Sequence, residues 1–488
     1  MSSALKFAKT YDILFLIVSF FVFFLLRLPS LFEPHWYGDE GIYQVIGEAL
    51  NKGSLLYRDV WDNKPPLLYL LYALFNSDQY TLKLVSLFFG LLSIVVFFFL
   101  SKRLFHQQVH VFGKIHFLTT SIFVFLLGLP LLEGNIANAE NFMMLPILLA
   151  ALLIFPRKPE IFLRETIFKL FFAGILLGLA FLFKVVAIFD LLAFLGFLLI
   201  INLPHRLKPS VAFPLVVGFF SPILITVFYF WIQDAFIDFA RATFSSNIGY
   251  VAWQNKLIFP QGILLFKTTL LIIAVVLIVS KRKSLNISAI FILLWFAFSL
   301  YNAFFAQRPY THYLLTLLPS FTLIIGLIFW EKKYKKAIAL FLILAFVLVF
   351  RNFNLYGKTI GYYQNFVSFV TGWKSVVSYR EFFDKRTPID YEIASFLKYK
   401  IREKDSIFIW GDNAQVYKLV GVTPPGKYIA FYHVIDSKDG MDSTKFAIEK
   451  EKPRFIIIMP GKSPLPIQLI GYLKRINIDK VSIYERFF

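Results

Sequence analysis

The residues best suited to chemistry in this chain lie just after its first long apolar run. Asp39 and Glu40 are adjacent in this stretch, and Asp62 and Lys64 follow within the run Asp-Asn-Lys-Pro-Pro. Carboxylates and lysines are costly beside a bilayer, so a cluster of them there indicates a functional site. A carboxylate can activate a nucleophile as a general base, and a lysine can hold an anionic leaving group. The stretch therefore suits a group-transfer reaction.

The composition of the chain defines the setting of this cluster. Of 488 residues, 58% are hydrophobic and only 16% are charged, and the mean hydropathy is +0.67. These values are typical of a polytopic membrane protein. The net charge of +20 comes from short basic clusters between apolar runs, which indicates cytoplasmic loops rather than nucleic-acid binding. Cysteine is absent, which excludes disulfides, thiolate metal ligands and thiol nucleophiles.

The apolar runs predict about 11 transmembrane helices. They cover about residues 11–32, 80–101, 115–132, 141–155, two helices within 167–202, 211–232, 262–280, 286–304, 313–330 and 337–353. The stretch 167–202 is interpreted as a hairpin that turns near Lys184, because a single crossing would place three later basic clusters outside. Lys6 and Lys9 place the N-terminus in the cytoplasm, and the odd number of spans places the C-terminus outside. We expect no charged residues inside the spans.

The chain is thereby divided into two predicted domains. Residues 1–353 form a transmembrane catalytic domain with outer-face loops at 33–78, 133–141, 233–261 and 305–312. Short helices at about 40–50 and 65–75 are expected along the membrane interface. Residues 354–488 form a small extracytoplasmic α/β domain, with strands at 406–410, 428–432, 455–459 and 481–484 and helices at about 388–400, 442–451 and 465–475.

The polar residues that need an explanation all fall on one side of the membrane in this topology. They are Asp39, Glu40, Asp62, Lys64, Glu133, Glu140, Lys184, Arg241, Arg308, Tyr310 and His312. Carboxylates with several cations suit a base and an anionic leaving group. Two or three carboxylates could instead share a divalent metal such as Mg²⁺, Mn²⁺ or Zn²⁺ through oxygen ligands. Asp62, His312 and Tyr310 are further candidates for contacts to substrate or metal.

Each of these residues also has a structural interpretation. Asp39 and Glu140 could cap helices, and Lys64 could extend along the interface with its charge in water. His312 is more often an interfacial histidine than a ligand, and both arginines could bind lipid headgroups. Their common face favours a site more than any single residue does.

The motifs resemble those of membrane glycosyltransferases with the GT-C fold. Gly38-Asp39-Glu40 after the first span is similar to their acidic motif, and Asp62-Asn63-Lys64-Pro65-Pro66 is similar to the K-P-P segment of the protein-mannosyltransferase and aminoarabinose-transferase-like branch. The stretch Ala137-Asn138-Ala139-Glu140 lies where that branch carries a second acidic residue. Asn63 departs from the pattern, because the aminoarabinose-transferase branch often has an acid there.

The resemblance implies a transferase that takes a sugar from a polyprenyl-phosphate carrier to an acceptor hydroxyl outside the cytoplasm, with inversion. The acceptor would be a lipid, a glycan or a protein, and the enzyme would lie in the cytoplasmic membrane. Asp39 would be the catalytic base, with Glu40 beside it, and Glu140 the supporting acid. Lys64 would hold the donor phosphate, and Lys184, Arg308 and Arg241 are further phosphate candidates by placement.

A lipid or sugar transporter or flippase is the alternative. It should show charges inside the membrane and paired broken helices in two matching halves. The sequence pattern shows neither, which favours the transferase.

Overall fold

The computed structural model describes residues 3–106, 115–156, 164–202, 212–252, 264–306, 308, 310–331, 333–353, 355, 357–402 and 404–487. Their helices in chain order are α1 (Ser3–Arg27), α2 (Gly38–Asn51), α3 (Leu67–Leu74), α4 (Gln79–Leu104), α5 (Ile115–Gly128), α6 (Ala139–Ile154), α7 (Arg164–Phe183), α8 (Ile188–Asn202), α9 (Phe213–Ile232), α10 (Phe236–Ala240), α11 (Ser246–Ala252), α12 (Leu264–Lys281), α13 (Ile287–Phe305), α14 (Tyr313–Trp330), α15 (Lys335–Asn352), α16 (Thr359–Val370), α17 (Val376–Phe383), α18 (Thr387–Lys398), α19 (Ala414–Val420), α20 (Phe431–Asp436) and α21 (Gly440–Glu451). The strands are β1 (Ile407–Trp410), β2 (Phe455–Ile458), β3 (Tyr472–Ile478) and β4 (Val481–Arg486).

The apolar helices confirm a polytopic helical membrane protein. Among the described residues, seven segments are long and apolar enough to cross a membrane: Thr10–Phe32, Gln79–Leu104, Val185–Asn202, Phe213–Ile232, Leu264–Lys281, Ile287–Phe305 and Tyr313–Trp330. Shorter apolar helices cover Ile115–Gly128, Ala139–Ile154 and Ile167–Phe183. Every predicted span has a corresponding helix, while the number of crossings, about 11, stays a prediction. The third predicted span corresponds to α5, which ends at Gly128 rather than near residue 132. The helix ends there because Pro130 follows in a short 3-10 turn.

The two predicted helices within 167–202 are present and are separated at Lys184, while their crossing of the membrane as a hairpin stays a prediction. Helix α7 ends at Phe183, Lys184 has an extended backbone (φ −157°, ψ 129°), and α8 begins at Ile188 after a 3-10 turn. The predicted outer segment 233–261 contains α10, a π-helical turn (Arg241–Ser245) and α11. Its last residues, 253–261, lie outside the described residues, as do Gln307 and Pro309 of the segment 305–312.

The expectation of uncharged spans is wrong. Arg27, Lys83 and Asp190 lie within apolar segments, each close to one end, and all three are buried. Each has a protein partner: Arg27 donates to the Ser86 hydroxyl, and the Trp295 indole donates to Asp190. Lys83 forms ion pairs described below. Burying such charges is tolerated because their partners replace water.

The described residues group into two compact units. The helical unit contains Met1–Leu28, Leu84–Tyr229 and Asn247–Thr359, and the mixed unit contains Pro29–Lys83, Phe230–Ser246 and Ile360–Phe488. The mixed unit thus combines the first inter-span segment with the C-terminal part of the chain. The predicted division at residue 353 stays a proposal.

A four-stranded sheet organises the C-terminal part of the mixed unit. Its order is β1-β2-β4-β3, with β1 and β2 parallel and the other pairs antiparallel. Phe408, Trp410 and Ile456 of β1 and β2 pack with Tyr428, Val434 and Ile448 in one apolar core. The predicted strands at 406–410, 455–459 and 481–484 and the helices at 388–400 and 442–451 have counterparts.

Two predicted elements of this part are wrong. The strand at 428–432 is a single bridge from Tyr428 to Trp61, and α20 begins at Phe431. The N–H groups of Phe431 and Tyr432 bind Gly411 and Asp412, so they cannot extend a strand ladder. The predicted helix at 465–475 is absent and β3 begins at Tyr472, because Pro466 and Gly471 interrupt the helical pattern and β3 pairs with β4.

Candidate active site

Asp39 and Lys64 face each other in the mixed unit. Helix α2 begins at Gly38, so Asp39 lies in its first turn, and Tyr37 rather than Asp39 is the N-cap residue. Lys64 Nζ is 3.6 Å from Asp39 Oδ2, and the two side chains are 18% and 35% exposed. The Tyr43 hydroxyl, one turn later on α2, donates to Asp39 Oδ2 at 3.0 Å. Both charges can therefore be reached from solvent while their positions are restrained.

Asp62 is the buried partner of Lys64. Its side chain is 3% exposed, and its Oδ2 lies 3.5 Å from Lys64 Nζ. The Tyr69 hydroxyl, on α3, donates to the same oxygen at 2.7 Å. Burial alone would raise the pKa of Asp62, but the charge of Lys64, the proximity of His433 and the Tyr69 hydrogen bond hold this pKa well below its usual range. At neutral pH Asp62 is consequently ionised, and it pairs with Lys64.

The backbone of Lys64 is also held in place. Its carbonyl accepts a 2.7 Å hydrogen bond from the Tyr57 hydroxyl, and its N–H donates to the Tyr69 oxygen at 3.3 Å. The ammonium group lies 4.9 Å from the centre of the Tyr43 ring. Pro65 and Pro66 precede α3 immediately, at positions where a missing N–H costs no helical hydrogen bond. These contacts aim the side chain at Asp39.

Glu40 lies in a different cluster of the same unit. Its oxygens are 2.8 and 3.0 Å from Lys83 Nζ, and Glu33 Oε2 is 3.3 Å from the same nitrogen. The hydroxyl of Tyr362 and the indole of Trp36 donate to Glu33 at 2.6 and 3.1 Å. The side chain of Lys83 is 1% exposed. Asp39 and Glu40, which are adjacent on α2, thus face different lysines. Asp39 faces the partly exposed Lys64, and Glu40 faces the buried Lys83.

A third cluster lies in the helical unit. Glu140, in the first turn of α6, forms an ion pair with Lys184 at the break between α7 and α8. Lys184 Nζ also lies 4.3 Å from the centre of the Tyr313 ring. His312 Nε2 is 3.9 Å from Glu140. The cluster brings together three predicted site residues from segments that are far apart in the chain.

Glu133 extends this cluster on its other side. It has a left-handed backbone (φ 57°) that ends a 3-10 turn. Its carboxylate accepts a 2.6 Å hydrogen bond from the Thr311 hydroxyl and lies 2.9 Å from His312 Nδ1. Tyr310 stacks on His312 with a 9° angle between the rings. His312 therefore lies between two carboxylates of the helical unit.

The two predicted arginines, Arg241 and Arg308, belong to different units. Arg241 is exposed at the start of the π-helical turn in the mixed unit. Arg308 belongs to the helical unit and is half-buried.

Several residues of these clusters carry little or no signal in the amino-acid sequence. Lys83 is the single charge in the first 23 residues of α4, and an isolated charge in an apolar helix is the signal that could have revealed it. Glu33 lies directly before the segment 34–66, which carries Asp39, Glu40, Asp62 and Lys64. Tyr43 and Tyr69 carry no such signal, since tyrosines in a segment beside the membrane are usually interfacial. His433 lies 371 residues beyond Asp62, and no local pattern links the two.

The described residues do not favour a metal site. They contain no group of three or more histidine, aspartate or glutamate side chains arranged to hold a metal ion. In the Asp39–Asp62 and Glu33–Glu40 pairs a lysine ammonium lies between the two carboxylates.

Known proteins provide two kinds of match. Residues 64–231 match the sequence profile of the family described as dolichyl-phosphate-mannose-protein mannosyltransferase. No curated protein matches the chain by sequence. Among solved structures, ArnT from Cupriavidus metallidurans bound to undecaprenyl phosphate has a TM-score of 0.54, with 14% identity over 98% of each chain.

The archaeal oligosaccharyltransferase AglB from Archaeoglobus fulgidus, in complex with an inhibitory peptide and a dolichol-phosphate, is a more distant match. Its TM-score is 0.48, with 12% identity over 93% of this chain and 70% of that chain. The match to ArnT extends over nearly the whole chain. The predicted resemblance is thereby confirmed: the chain is a multi-pass membrane protein with the fold of the GT-C glycosyltransferases, and its residues 64–231 match the protein-mannosyltransferase family.

Proposed function

We propose that the protein transfers a sugar from a polyprenyl-phosphate carrier to an acceptor hydroxyl, with inversion, on the outer face of the cytoplasmic membrane. Asp39 is the general base, and Lys64 binds the phosphate of the donor. The observation that carries this proposal is the Asp39–Lys64 pair, in which an accessible carboxylate and an accessible ammonium lie 3.6 Å apart. The undecaprenyl phosphate bound to ArnT, a protein of the same fold, supports the choice of carrier.

The chemistry requires the two roles to be adjacent. The phosphate is the leaving group, so a cation near its oxygens stabilises the charge that develops as the bond to the sugar breaks. The acceptor hydroxyl must lose its proton, and a carboxylate within hydrogen-bond reach can take it. Lys64 is only loosely bound to Asp39 and Asp62, at 3.5–3.6 Å, so a phosphate can replace one contact without leaving the buried Asp62 unpaired.

Other predicted residues take supporting roles in this proposal. Glu140 is the supporting acid, and its ion pair orients Lys184, a further candidate for phosphate binding. Arg241 and Arg308 remain candidates for the same anion. Glu40 is better suited to a structural role, since both its oxygens bind the buried Lys83.

The test is release of undecaprenyl phosphate from a panel of undecaprenyl-phosphate sugars by the full-length protein, in vesicles made from membranes that contain its native acceptors. Asp39→Asn should lower the rate by about 100-fold or more, because general-base catalysis contributes about 10²–10⁴-fold. Asp59→Asn is the matched control, since Asp59 lies in the same segment with 43% exposure but pairs with Arg58.

The control variant should keep the wild-type rate. Release by Asp39→Asn at the wild-type rate would refute the base assignment. Movement of the lipid-linked sugar across the vesicle membrane without release of undecaprenyl phosphate would indicate the transporter instead.

A further inference from the structure

His433, in the C-terminal part of the mixed unit, is buried beside the candidate site without a hydrogen bond. It lies on α20 and is 2% exposed. Neither ring nitrogen has a hydrogen-bond partner among the described residues. The Trp61 and Tyr432 rings pack against the imidazole, with ring centres 5.1 and 4.4 Å away. A buried polar group without a partner is unfavourable, so this arrangement needs an explanation.

Asp62 supplies that explanation. His433 Nε2 lies 3.5 Å from Asp62 Oδ1, just beyond ordinary hydrogen-bond length. Asp62 Oδ1 also accepts the N–H of Asn63 at 2.7 Å, whereas Oδ2 faces Tyr69 and Lys64. The two oxygens of one carboxylate thus join the C-terminal part of the chain to the lysine of the site.

The surrounding backbone fixes this junction. The Trp61 N–H donates to the Lys427 carbonyl at 2.8 Å, and Trp61 pairs with Tyr428 as a parallel bridge. The Trp61 ring packs against the apolar core that includes Tyr428 and Val434. Trp61, directly before Asp62, therefore packs against both the C-terminal core and the His433 ring.

The same part of the chain also supports Asp39. A Cβ atom on Gly41 would lie 2.7 Å from the Gln415 backbone nitrogen, so α2 and the start of α19 are in direct contact. Lys418 on α19 forms an ion pair with Glu48 on α2. Asp39 and Lys64, about 25 residues apart in sequence, are thus both held by residues beyond 410.

We infer that His433 is a positioning residue, which donates from Nε2 to Asp62 and so sets the direction in which Asp62 holds Lys64. This inference rests on the proposed role of Lys64 in binding the donor phosphate. It assigns the C-terminal part of the chain a task in the reaction: it keeps the phosphate-binding lysine 3.6 Å from the base.

The variants His433→Leu and His433→Gln test the donor role directly. Leucine fills the site without a donor, whereas the glutamine amide can present an N–H close to the position of Nε2. His433→Leu should lower kcat/KM for undecaprenyl-phosphate sugar by roughly 10- to 100-fold per folded molecule, the range expected for a misplaced catalytic group. His433→Gln should recover most of this loss. The control Thr444→Val removes another buried polar group of this part of the chain that has no hydrogen bond, and it should have no effect on the rate.

Coupling separates positioning from a general effect on folding. Residues that act through one another give non-additive double variants. His433→Leu should therefore cause little further loss in a Lys64→Met background. The inference would be overturned if His433→Leu had the wild-type rate, or if His433→Leu and His433→Gln lost equal activity. It would also be overturned if the effects of His433→Leu and Lys64→Met were fully additive. If His433→Leu does not fold, His433→Asn replaces it, because the shorter amide cannot reach the position of Nε2; equal rates for asparagine and glutamine would then overturn it.

A binding measurement distinguishes this failure from failure of the proposed function. Undecaprenyl phosphate should raise the Tm of the wild-type protein, because a ligand that binds the folded state stabilises it. The shift should be smaller in His433→Leu and restored in His433→Gln. A wild-type protein that binds undecaprenyl phosphate but releases none from any donor would refute the function alone, and the Tm shifts would then decide the inference. If undecaprenyl phosphate causes no Tm shift in wild type, the inference is overturned.

Discussion

Two lysines of the mixed unit each lie between two carboxylates, yet their surroundings differ completely. Lys83 is 1% exposed, and its contacts to Glu33 and Glu40 are 2.8–3.3 Å long. Lys64 is 18% exposed, and its contacts to Asp39 and Asp62 are 3.5–3.6 Å long. A buried cluster with short ion-pair distances stabilises the fold, whereas a partly exposed cluster with longer distances can exchange one ion pair for a contact to a ligand.

The difference shows why adjacent acids on α2 should have different roles. Successive residues of a helix point about 100° apart, so Asp39 and Glu40 cannot face the same partner. Glu40 faces Lys83 near the start of α4, and Asp39 faces Lys64. The comparison therefore predicts that variants at one lysine affect stability and variants at the other affect turnover.

The largest expected effect is that of Lys83→Met on stability. Removing this ammonium leaves two buried carboxylates without their cation, and breaking a buried ion pair on one side costs about 3–5 kcal/mol. We expect a loss of folded protein, measured by thermal unfolding in detergent. The control Lys445→Met changes a lysine of α21 that is exposed, and it should leave Tm unchanged. A Lys83→Met protein with the wild-type Tm would contradict the structural role.

Lys64→Met should act on turnover instead. Loss of one charged group that stabilises a transition state costs about 10²–10³-fold in kcat. Tm should fall less than in Lys83→Met, because Lys64 is partly exposed and the buried Asp62 keeps its hydrogen bonds from Tyr69 and Asn63. The measurement is release of undecaprenyl phosphate beside thermal unfolding. A large fall in Tm with unchanged turnover per folded molecule would reverse the comparison.

Glu140→Gln extends the comparison to the helical unit with a smaller effect. The change removes the anion that holds Lys184, while the amide keeps the size of the side chain. We expect a loss of about 10-fold in turnover, since only the orientation of a supporting cation is altered. Glu133→Gln is the control, because Glu133 binds Thr311 and His312 and forms no pair with Lys184 in the cluster described above. Equal losses in both variants would remove the special role of Glu140.

The smallest expected effect concerns two buried carboxylates of the mixed unit. Asp62 is paired with a cation, whereas Asp390 accepts hydrogen bonds from the neutral amides of Asn413 and Gln415. Burial raises the pKa of Asp390 to about 6. Because the pKa of Asp390 is higher in the folded than in the unfolded state, Asp390 stabilises the folded protein most at pH values below its ordinary pKa near 4. This stabilisation is lost as the pH rises through about 6.

Between pH 5 and pH 7.5 the folded state should therefore lose about 1 kcal/mol, or roughly 2–4 °C in Tm. Asp62 contributes nothing to this change, because its pKa lies well below the range. The measurement is thermal unfolding at both pH values, with Asp390→Asn as the variant that should flatten the dependence. A Tm that rises with pH in wild type but not in this variant would contradict the assignment.

The fold was largely predictable because its signals are local. Apolar runs of about 20 residues predict helices wherever they occur, and each predicted span has a helix in the structure. The predictions at 428–432 and 465–475 are wrong because distant segments determine the local conformation there. Tyr428 pairs with Trp61, and β3 pairs with β4. Short segments adopt the conformation that their neighbours allow.

The candidate site was predictable only in part for the same reason. Asp39, Asp62 and Lys64 stand out as charges beside an apolar run, and the structure brings them together. The distinction between Asp39 and Glu40 was not accessible, since it depends on which lysine each one meets. The single charge of Lys83 could have been noticed, whereas the contact of His433 with Asp62 could not.

The amino-acid sequence by itself therefore determined the membrane class, the break at Lys184 and the charged residues of the first inter-span segment. These follow from hydrophobicity, charge and backbone chemistry, which act within a few residues. Tertiary structure alone decided which lysine is open, which carboxylate is buried, and that residues beyond 410 contact the segments that carry Asp39 and Lys64. The physical reason is that burial and ion pairing join residues that are distant in the chain, and their partners appear only when the chain is folded.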